Sequence, residues 1–334
     1  MLFKHSCAAA LAIGLVLPGM ANAETTIRFG THIPPQAIEA AAGIIPYLDA
    51  VEAETDGEVT FQRHFGGALG RNPTQQYELL RNGVQEMTMV LPSYSAAQFP
   101  DFGIFALPYL FESAEQGSVA AWRMYEAGLM ETPDDVHVIT AFINGNSAIH
   151  TADAISSPDD LAGMQIRAAG PDESAIVEVL GAVPVGMGIG QIAESMDRGV
   201  IDGALSGWAP MRAFRFDELS HGHLAEPLGS RAFLIVMRKD VYDSLSDTAK
   251  AVVDARGGEE LARAIGRAND IAEAKIIEEA EARDGVSVVR IPDADKAERA
   301  ALFAPVVEAW VAETEKNVSN MEALKGLLSE INAQ

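Results

Sequence analysis

Residues 164–205 read MQIRAAGPDESAIVEVLGAVPVGMGIGQIAESMDRGVIDGAL, and this stretch decides the fold class. Short apolar runs bounded by glycine or proline are typical of strands, and the longer segments between them have the periodicity of amphipathic helices. The pattern predicts three strands and two helices in alternation: strands 164–168, 183–185 and 200–205, and helices 172–180 and 191–198. Strands that alternate with helices in this way indicate an α/β fold with largely parallel sheets.

The same alternation continues on the N-terminal side of this stretch. It predicts strands at 25–30, 59–61, 87–91 and 136–141, and helices at 38–51, 75–82 and 114–126. Asn144, Gly145 and Asn146 interrupt the pattern, so we expect two α/β series.

The C-terminal third begins with a short apolar run, 233–237, which is typical of a strand buried on both faces. After it, apolar residues at spacings of three and four form helical stripes over 261–276 and 303–331. Such stripes suit either helices that pack across two lobes or a coiled-coil partner. The first is favoured because regular charges beside the stripes are missing.

Charge and composition exclude several classes of protein. The chain has 334 residues, enough for two domains, with 24 Lys+Arg against 48 Asp+Glu and a net charge of -24. A surface of this charge repels nucleic acid and anionic lipid, so we expect no nucleic-acid partner. No segment after residue 23 has 18 uninterrupted apolar residues, the length at which a membrane-spanning helix would be considered.

Residues 1–23 have the pattern of a cleaved signal peptide. Lys4 precedes a short apolar run, and Ala21, Asn22 and Ala23 give the small-residue cleavage site. The run is shorter than the roughly 20 residues that a membrane anchor needs, which is the alternative interpretation. The sequence therefore predicts export to the periplasm, and the single cysteine, Cys7, lies inside this leader.

Motifs of catalysis, cofactor binding and metal binding do not fit the sequence. The glycines of 185–190 fail the spacing of the dinucleotide fingerprint because Gln191 stands at its last position. His221 and His223 share one side of an extended segment, but no third ligand follows at a recognisable spacing. We expect no catalytic site, no metal and no cofactor.

Arg167 is the main candidate for ligand binding. It ends the strand 164–168 and comes directly before a helix, at the edge of the sheet where open α/β proteins bind ligands. A guanidinium can hold both oxygens of a carboxylate, and a helix N-terminus adds a favourable dipole. The alternative is a structural arginine. As a cleft residue Arg167 would contribute little to the core, so we expect its removal to leave the fold intact.

Three ordered motifs carry a resemblance to a known family. They are Asp160-Leu161-x-Gly163 leading to Ile166-Arg167, then Gly181-Ala182-Val183-Pro184-Val185, then a helix followed by Gly199-Val200-Ile201-Asp202-Gly203. Together they resemble the DctP-type solute receptors of tripartite ATP-independent periplasmic (TRAP) transporters. The resemblance implies a two-lobed periplasmic binding protein fold with a long helix spanning both lobes and Arg167 on the ligand carboxylate. It also implies delivery to a small and a large membrane subunit.

The expected lobes are discontinuous in sequence, with the ligand cleft between them. The first would comprise 24–143 and about 234–274, and the second 144–233 and about 275–334. We expect a monomer. An ABC-type or sensory binding protein for a small carboxylate is the alternative function, and a periplasmic enzyme is a weaker one.

The sequence departs from the family in ways that bear on the ligand. Ser147 stands where many members carry a second arginine, and Trp208 follows the Asp202-Gly203 pair where many carry asparagine. One cation fewer favours a monocarboxylate, and Trp208 suits a pocket wall that stacks on the ligand, or else a core position. The other ligand-binding candidates are Tyr94 and His32, in loops that follow first-lobe strands and equally suited to loop packing, with Ser147 itself and Gln191.

Overall fold

The computed structural model describes residues 24–333. The predicted signal peptide, 1–23, lies outside the described residues. The eleven strands of the described part are β1 Thr25–Gly30, β2 Val59–His64, β3 Met87–Val90, β4 Val136–Ile143, β5 Ser147–Thr151, β6 Gln165–Ala168, β7 Val183–Gly186, β8 Gly203–Gly207, β9 Gly222–Ala225, β10 Ala232–Arg238 and β11 Ser287–Arg290. Its twelve α-helices are α1 Ile45–Glu54, α2 Gln76–Arg81, α3 Ala114–Glu126, α4 Pro171–Val179, α5 Ile192–Asp197, α6 Trp208–Ala213, α7 Lys239–Ser244, α8 Asp247–Arg256, α9 Gly258–Glu281, α10 Lys296–Leu302, α11 Ala304–Glu313 and α12 Glu315–Asn332.

Two sheets organise these elements, which confirms the two-lobed α/β prediction. The first has the order β2-β1-β3-β10-β4 and the second β11-β9-β5-β8-β6-β7. We call each sheet with the helices packed on it the first and the second lobe. Helices and strands alternate along most of both lobes, as the apolar periodicity predicted.

The sheets are mixed, so the prediction of largely parallel sheets is only partly right. β1 runs parallel to β2 and β3, whereas β10 is antiparallel to both β3 and β4. In the second sheet β5 is antiparallel to β8 and β9. The reason is that β10 and β5 directly follow segments that cross between the lobes and run against the direction of the neighbouring strands.

β10 is buried on both faces, as its continuous apolar run predicted. Leu234 and Val236 belong to one apolar cluster of the first lobe, and Phe233, Ile235 and Met237 belong to the other. A strand with alternate side chains in two cores has no polar face, which explains the absence of alternation in its sequence.

The long helix α9 spans both lobes over 24 residues. Its first half contributes Leu261 and Ile265 to a first-lobe cluster, and its second half contributes Ile276 and Ala280 to a second-lobe cluster. No helix in the described residues combines the length and the apolarity required to cross a membrane.

The C-terminal helices do not all pack on the lobe to which the predicted division of the chain assigns them. Phe303 packs in a second-lobe cluster, but Trp310, Met321 and Leu324 pack in a first-lobe cluster. This packing differs from the expected assignment of 275–334 to the second lobe. Helix α12 contacts α3 of the first lobe, whereas α11 contacts both α12 and α4 of the second lobe.

Two neighbouring segments cross between the lobes and are bonded to each other. The Ser147 N–H donates to the Gly229 carbonyl at 2.6 Å, and the Leu228 N–H donates to the Ser147 carbonyl at 3.1 Å. Gly145 lies in the first crossing segment beneath Glu273 of α9, where a Cβ would lie 1.7 Å from Oε2 of that glutamate. A side chain at this position would therefore displace the carboxylate of Glu273.

Candidate functional site

A cavity of about 530 Å³ lies between the two lobes. Both lobes and α9 contribute to its wall: its lining includes His32, Ile33, Ile38, Glu39, Met89, Leu91, Tyr94, Asn144, Arg167, Ile189, Pro210, Arg212, Phe214, Arg231, Phe233 and Ile276. This volume is in the range of small-molecule sites.

Arg167 lies in the wall of this cavity and is itself 1% exposed. Its Nε donates to the Met187 carbonyl at 2.9 Å and its Nη1 donates to the Leu205 carbonyl at 3.1 Å. Burial lowers the pKa of Arg167, as does the charge of Arg231, while Glu173 acts in the opposite direction. A guanidinium stays protonated despite such a shift.

The contacts of Arg167 change one expectation. Because the side chain satisfies two buried carbonyls, it supports the second lobe as well as lining the cavity. The expectation that its removal leaves the fold unaffected is therefore not supported by its surroundings, since both carbonyls would lose a charged donor.

A second arginine, Arg231, lines the same cavity and was not predicted. Its Nη2 donates to Glu173 Oε1, and Nη1 of Arg167 lies 3.7 Å from Oε2 of the same carboxylate. The main-chain N–H of Arg231 donates to Oδ1 of Asn144 at 3.1 Å. The Nδ2 group of Asn144 is therefore the part of that side chain that a ligand could use. The signal available in the sequence was an arginine directly before the buried run 233–237, on the second crossing segment.

Two predicted residues, His32 and Tyr94, meet Arg167 at the cavity from the first-lobe side. Burial lowers the pKa of His32 to about 4, so the ring is neutral at pH 7. Its Nδ1 is buried without a partner, which leaves Nε2 as the nitrogen that can reach the cavity. Nearby in the wall, burial raises the pKa of Glu39.

The rest of the wall is mainly apolar. Phe233 stacks on Phe142 with ring centroids 5.4 Å apart and an interplanar angle of 11°, and its ring is held in place by this contact. Aliphatic side chains and Phe214 complete the apolar part of the wall, which also includes Glu39 and Arg212. The cavity is therefore cationic at one end and mainly apolar along its sides.

Three predicted residues are not in this wall. Trp208 is 3% exposed, packs against the rings of His150 and His223 at 4.8 and 4.9 Å, and borders a separate cavity of about 770 Å³. Ser147 begins β5, and its main-chain groups bond to the second crossing segment. Both side chains belong to the lobe interior, since Trp208 and Ser147 are each 3% exposed.

Gln191 is the third. It is exposed, and its Oε1 accepts from the Gly188 N–H at 3.2 Å in the turn that precedes α5. The side chain thus caps a local turn and does not reach the cavity wall.

His221 and His223 do not act together. His221 Nδ1 donates to the Ala152 carbonyl at 2.8 Å, whereas Nδ1 of His223 is 2.9 Å from Nδ1 of His150 in the interior. Within residues 24–333 no three His, Cys, Asp or Glu side chains are grouped in a way that could hold a metal ion.

Comparison with known proteins gives a consistent picture. The family model for bacterial extracellular solute-binding protein, family 7, matches residues 34–314. A TRAP solute-binding protein from a marine metagenome, specific for aromatic acid ligands and solved with 3-hydroxybenzoate, is 28% identical with a TM-score of 0.83. The match covers 92% of this chain and 99% of that one.

Two further relatives differ in what their names say they bind. A TRAP solute-binding protein from Rhodoferax ferrireducens, solved with copurified benzoate, is 25% identical, has a TM-score of 0.83 and covers the same shares of the two chains, 92% and 99%. The C4-dicarboxylate-binding periplasmic protein DctP of Rhodobacter capsulatus is 24% identical over 71% of this chain and 72% of its own length.

Proposed function

Because the chain belongs to the bacterial extracellular solute-binding proteins of family 7, we propose that it captures a small aromatic monocarboxylate for a TRAP transporter. The carboxylate of the ligand would bind at Arg167 and Arg231, and its ring would lie along the apolar wall. The observation that carries this proposal is the combination of two buried arginines and a set of apolar and aromatic side chains in one cavity.

The cationic end suits a carboxylate for geometric reasons. A guanidinium offers two parallel N–H donors to two carboxylate oxygens, and Arg167 and Arg231 are both close to fully buried. Hydrogen bonds made away from water by a charged donor are stronger than those at the surface. Asn144 would add one donor from the crossing segment.

The apolar wall supports an aromatic ligand. Phe233 presents a ring that is already fixed by Phe142, and an aromatic ligand could pack against it by stacking or edge contact. The two solved relatives at 25% identity or more that were described above contain 3-hydroxybenzoate and benzoate. On the first-lobe side, His32 and Tyr94 would contact the end of the ligand opposite to its carboxylate.

The remaining steps of transport are part of the same proposal. The chain would be exported through residues 1–23 to the periplasm, bind its ligand as a monomer and close its lobes by a hinge at the crossing segments. The closed form would deliver the ligand to the small and large membrane subunits. The lobes would divide near residues 143 and 233, with α11 and α12 on the first lobe.

Thermal unfolding with a panel of acids tests the ligand. A ligand that binds only the folded state raises the melting temperature in proportion to the logarithm of its concentration. We expect benzoate and 3-hydroxybenzoate to raise it, and succinate, malate and glucose to leave it unchanged at the same concentrations. A shift with succinate or malate but with no monocarboxylate would contradict the proposal.

A further inference from the structure

A single buried carboxylate, that of Glu173, lies between the two arginines of the cavity. Its Oε1 accepts from Arg231, and its Oε2 is 3.7 Å from Nη1 of Arg167. The side chains of Arg167, Arg231 and Glu173 are 1%, 10% and 11% exposed. Both arginines belong to the cavity wall but Glu173 does not, so the carboxylate lies behind them.

The position of Glu173 is fixed by the protein and does not depend on a ligand. Glu173 is in the first turn of α4, and its Oε2 accepts from the Ala169 N–H at 2.6 Å. A carboxylate at this end of a helix is also favoured by the helix dipole. Glu173 is therefore present as a counter-charge before any ligand binds.

Charge counting then gives the cationic end one net positive charge, from two arginines and one glutamate. Of the other ionisable groups of the wall, His32 is neutral at pH 7, Arg212 is paired with Glu279 at 2.6 Å, and Glu39 has a pKa that burial raises. One carboxylate balances this end of the cavity. A second one would be enclosed without a free cation, which is costly in a closed cleft.

We propose that Glu173 determines the charge of the ligand, making the cavity selective for monocarboxylates over dicarboxylates by neutralising one of its two arginines. This inference rests on the proposed function and adds the residue that sets its specificity. Glu173 is a positioning residue in this role, because it acts through Arg231 and Arg167 and does not touch the ligand. Removal of its charge alone would leave two cations for a dianion.

The test compares benzoate with isophthalate, its analogue with a second carboxylate, by titration calorimetry. Glu173→Gln keeps the length of the side chain and an oxygen that can accept from Ala169, but removes the charge. We expect the ratio of isophthalate to benzoate affinity to rise at least tenfold in this variant, and isophthalate binding to become more sensitive to salt. Glu178→Gln, an exposed change on the same helix, is the matched control and should leave the ratio unchanged.

Further variants separate charge from structure. Glu173→Asp keeps the charge and should retain the wild-type preference for benzoate, whereas a purely structural role would treat Asp and Gln alike. Arg231→Gln lowers the charge of the site instead, so benzoate should bind at least tenfold more weakly with no gain for isophthalate. This second measurement decides the matter if Glu173→Gln does not fold.

The outcomes distinguish the two proposals. An unchanged ratio in folded Glu173→Gln, with benzoate binding to the wild type, would overturn the role of Glu173 and leave the proposed function intact. Tight benzoate binding by folded Arg231→Gln would overturn the charge count and would also remove Arg231 from the proposed carboxylate site. A wild-type protein that binds neither benzoate nor any other monocarboxylate would overturn both.

Discussion

Replacement of Arg167 by alanine should weaken both ligand binding and folding. The side chain is 1% exposed and donates to two main-chain carbonyls, at 2.9 Å from Nε and 3.1 Å from Nη1. Hydrogen bonds from a charged group contribute about 1.5–3 kcal/mol each, so the loss of both predicts a destabilisation of about 3–6 kcal/mol. This is a large part of the roughly 5–15 kcal/mol that stabilises a folded protein.

The same variant should bind the ligand at least about 100-fold more weakly. Removal of one partner of a buried ion pair costs about 3–5 kcal/mol, and every 1.4 kcal/mol is about tenfold in affinity. Arg231 remains in the wall, so we take the lower end of this range. Arg167→Lys should recover only part of the loss, because an ammonium cannot reproduce two parallel donors.

Urea unfolding followed by circular dichroism gives the stability, and titration calorimetry with benzoate gives the affinity. Arg198→Ala is the matched control, since Arg198 is 69% exposed in the same lobe and pairs only with Glu194 at 2.8 Å. Wild-type stability in Arg167→Ala would refute the argument from the two carbonyls. Wild-type affinity in a folded Arg167→Ala protein would remove this residue from the binding site.

Three further changes test other parts of the structure. The pKa of Glu273 is raised from 4.5 to about 8, by burial first and then by the charges of Asp270 and Glu39, so the folded state holds an extra proton between these values. The contribution of Glu273 to the free energy of unfolding should thus be highest below about pH 4.5. It should fall by up to about 1.4 kcal/mol per pH unit between this pH and pH 8. Urea unfolding across this range should show a smaller decline in Glu273→Gln, and an equal decline would contradict the shift. Gly145→Ala should destabilise the protein by about 1–3 kcal/mol, because its Cβ would overlap Glu273. In the double variant, Glu273→Ala should relieve part of that loss. Fully additive losses of stability in the double variant would contradict the contact. Trp208→Phe should lower the melting temperature but keep the affinity for benzoate, since the ring packs outside the ligand cavity, and a tenfold loss of affinity would return Trp208 to the site.

The spacing of apolar residues predicted the helices and strands well, because secondary structure depends largely on residues that are neighbours in sequence. The run 233–237 could be assigned to a buried strand since no polar residue interrupts it. Its direction could not, because that depends on pairing with β3 and β4, which lie far away in the chain. The same limit applies to α11 and α12, whose apolar stripes were recognised but whose contacts with α4 and α3 depend on residues far away in the chain.

The candidate site shows a similar division. Arg167 could be found because a strand end before a helix is a local feature with a known place at the edge of a sheet. Arg231 was missed because its place in the cavity results from the return of the chain through the second crossing segment. The absence of an arginine at Ser147 therefore did not mean one cation fewer, as the sequence alone suggested, since Arg231 supplies the second from the other crossing segment.

The place of β10 between β3 and β4 in the first sheet sets an order of events for the newly made chain. β3 and β4 are not neighbours, and the edges with which they pair to β10 stay open until residues 232–238 have been synthesised. By contrast, five of the six strands of the second sheet lie within 147–225 and can pair as one continuous piece. Open edges with apolar faces are prone to aggregation, and contacts that are distant in sequence form slowly. The lobe that contains the first residues of the folded chain is thus completed late, and a chain interrupted before residue 232 would expose both edges to chaperones and proteases.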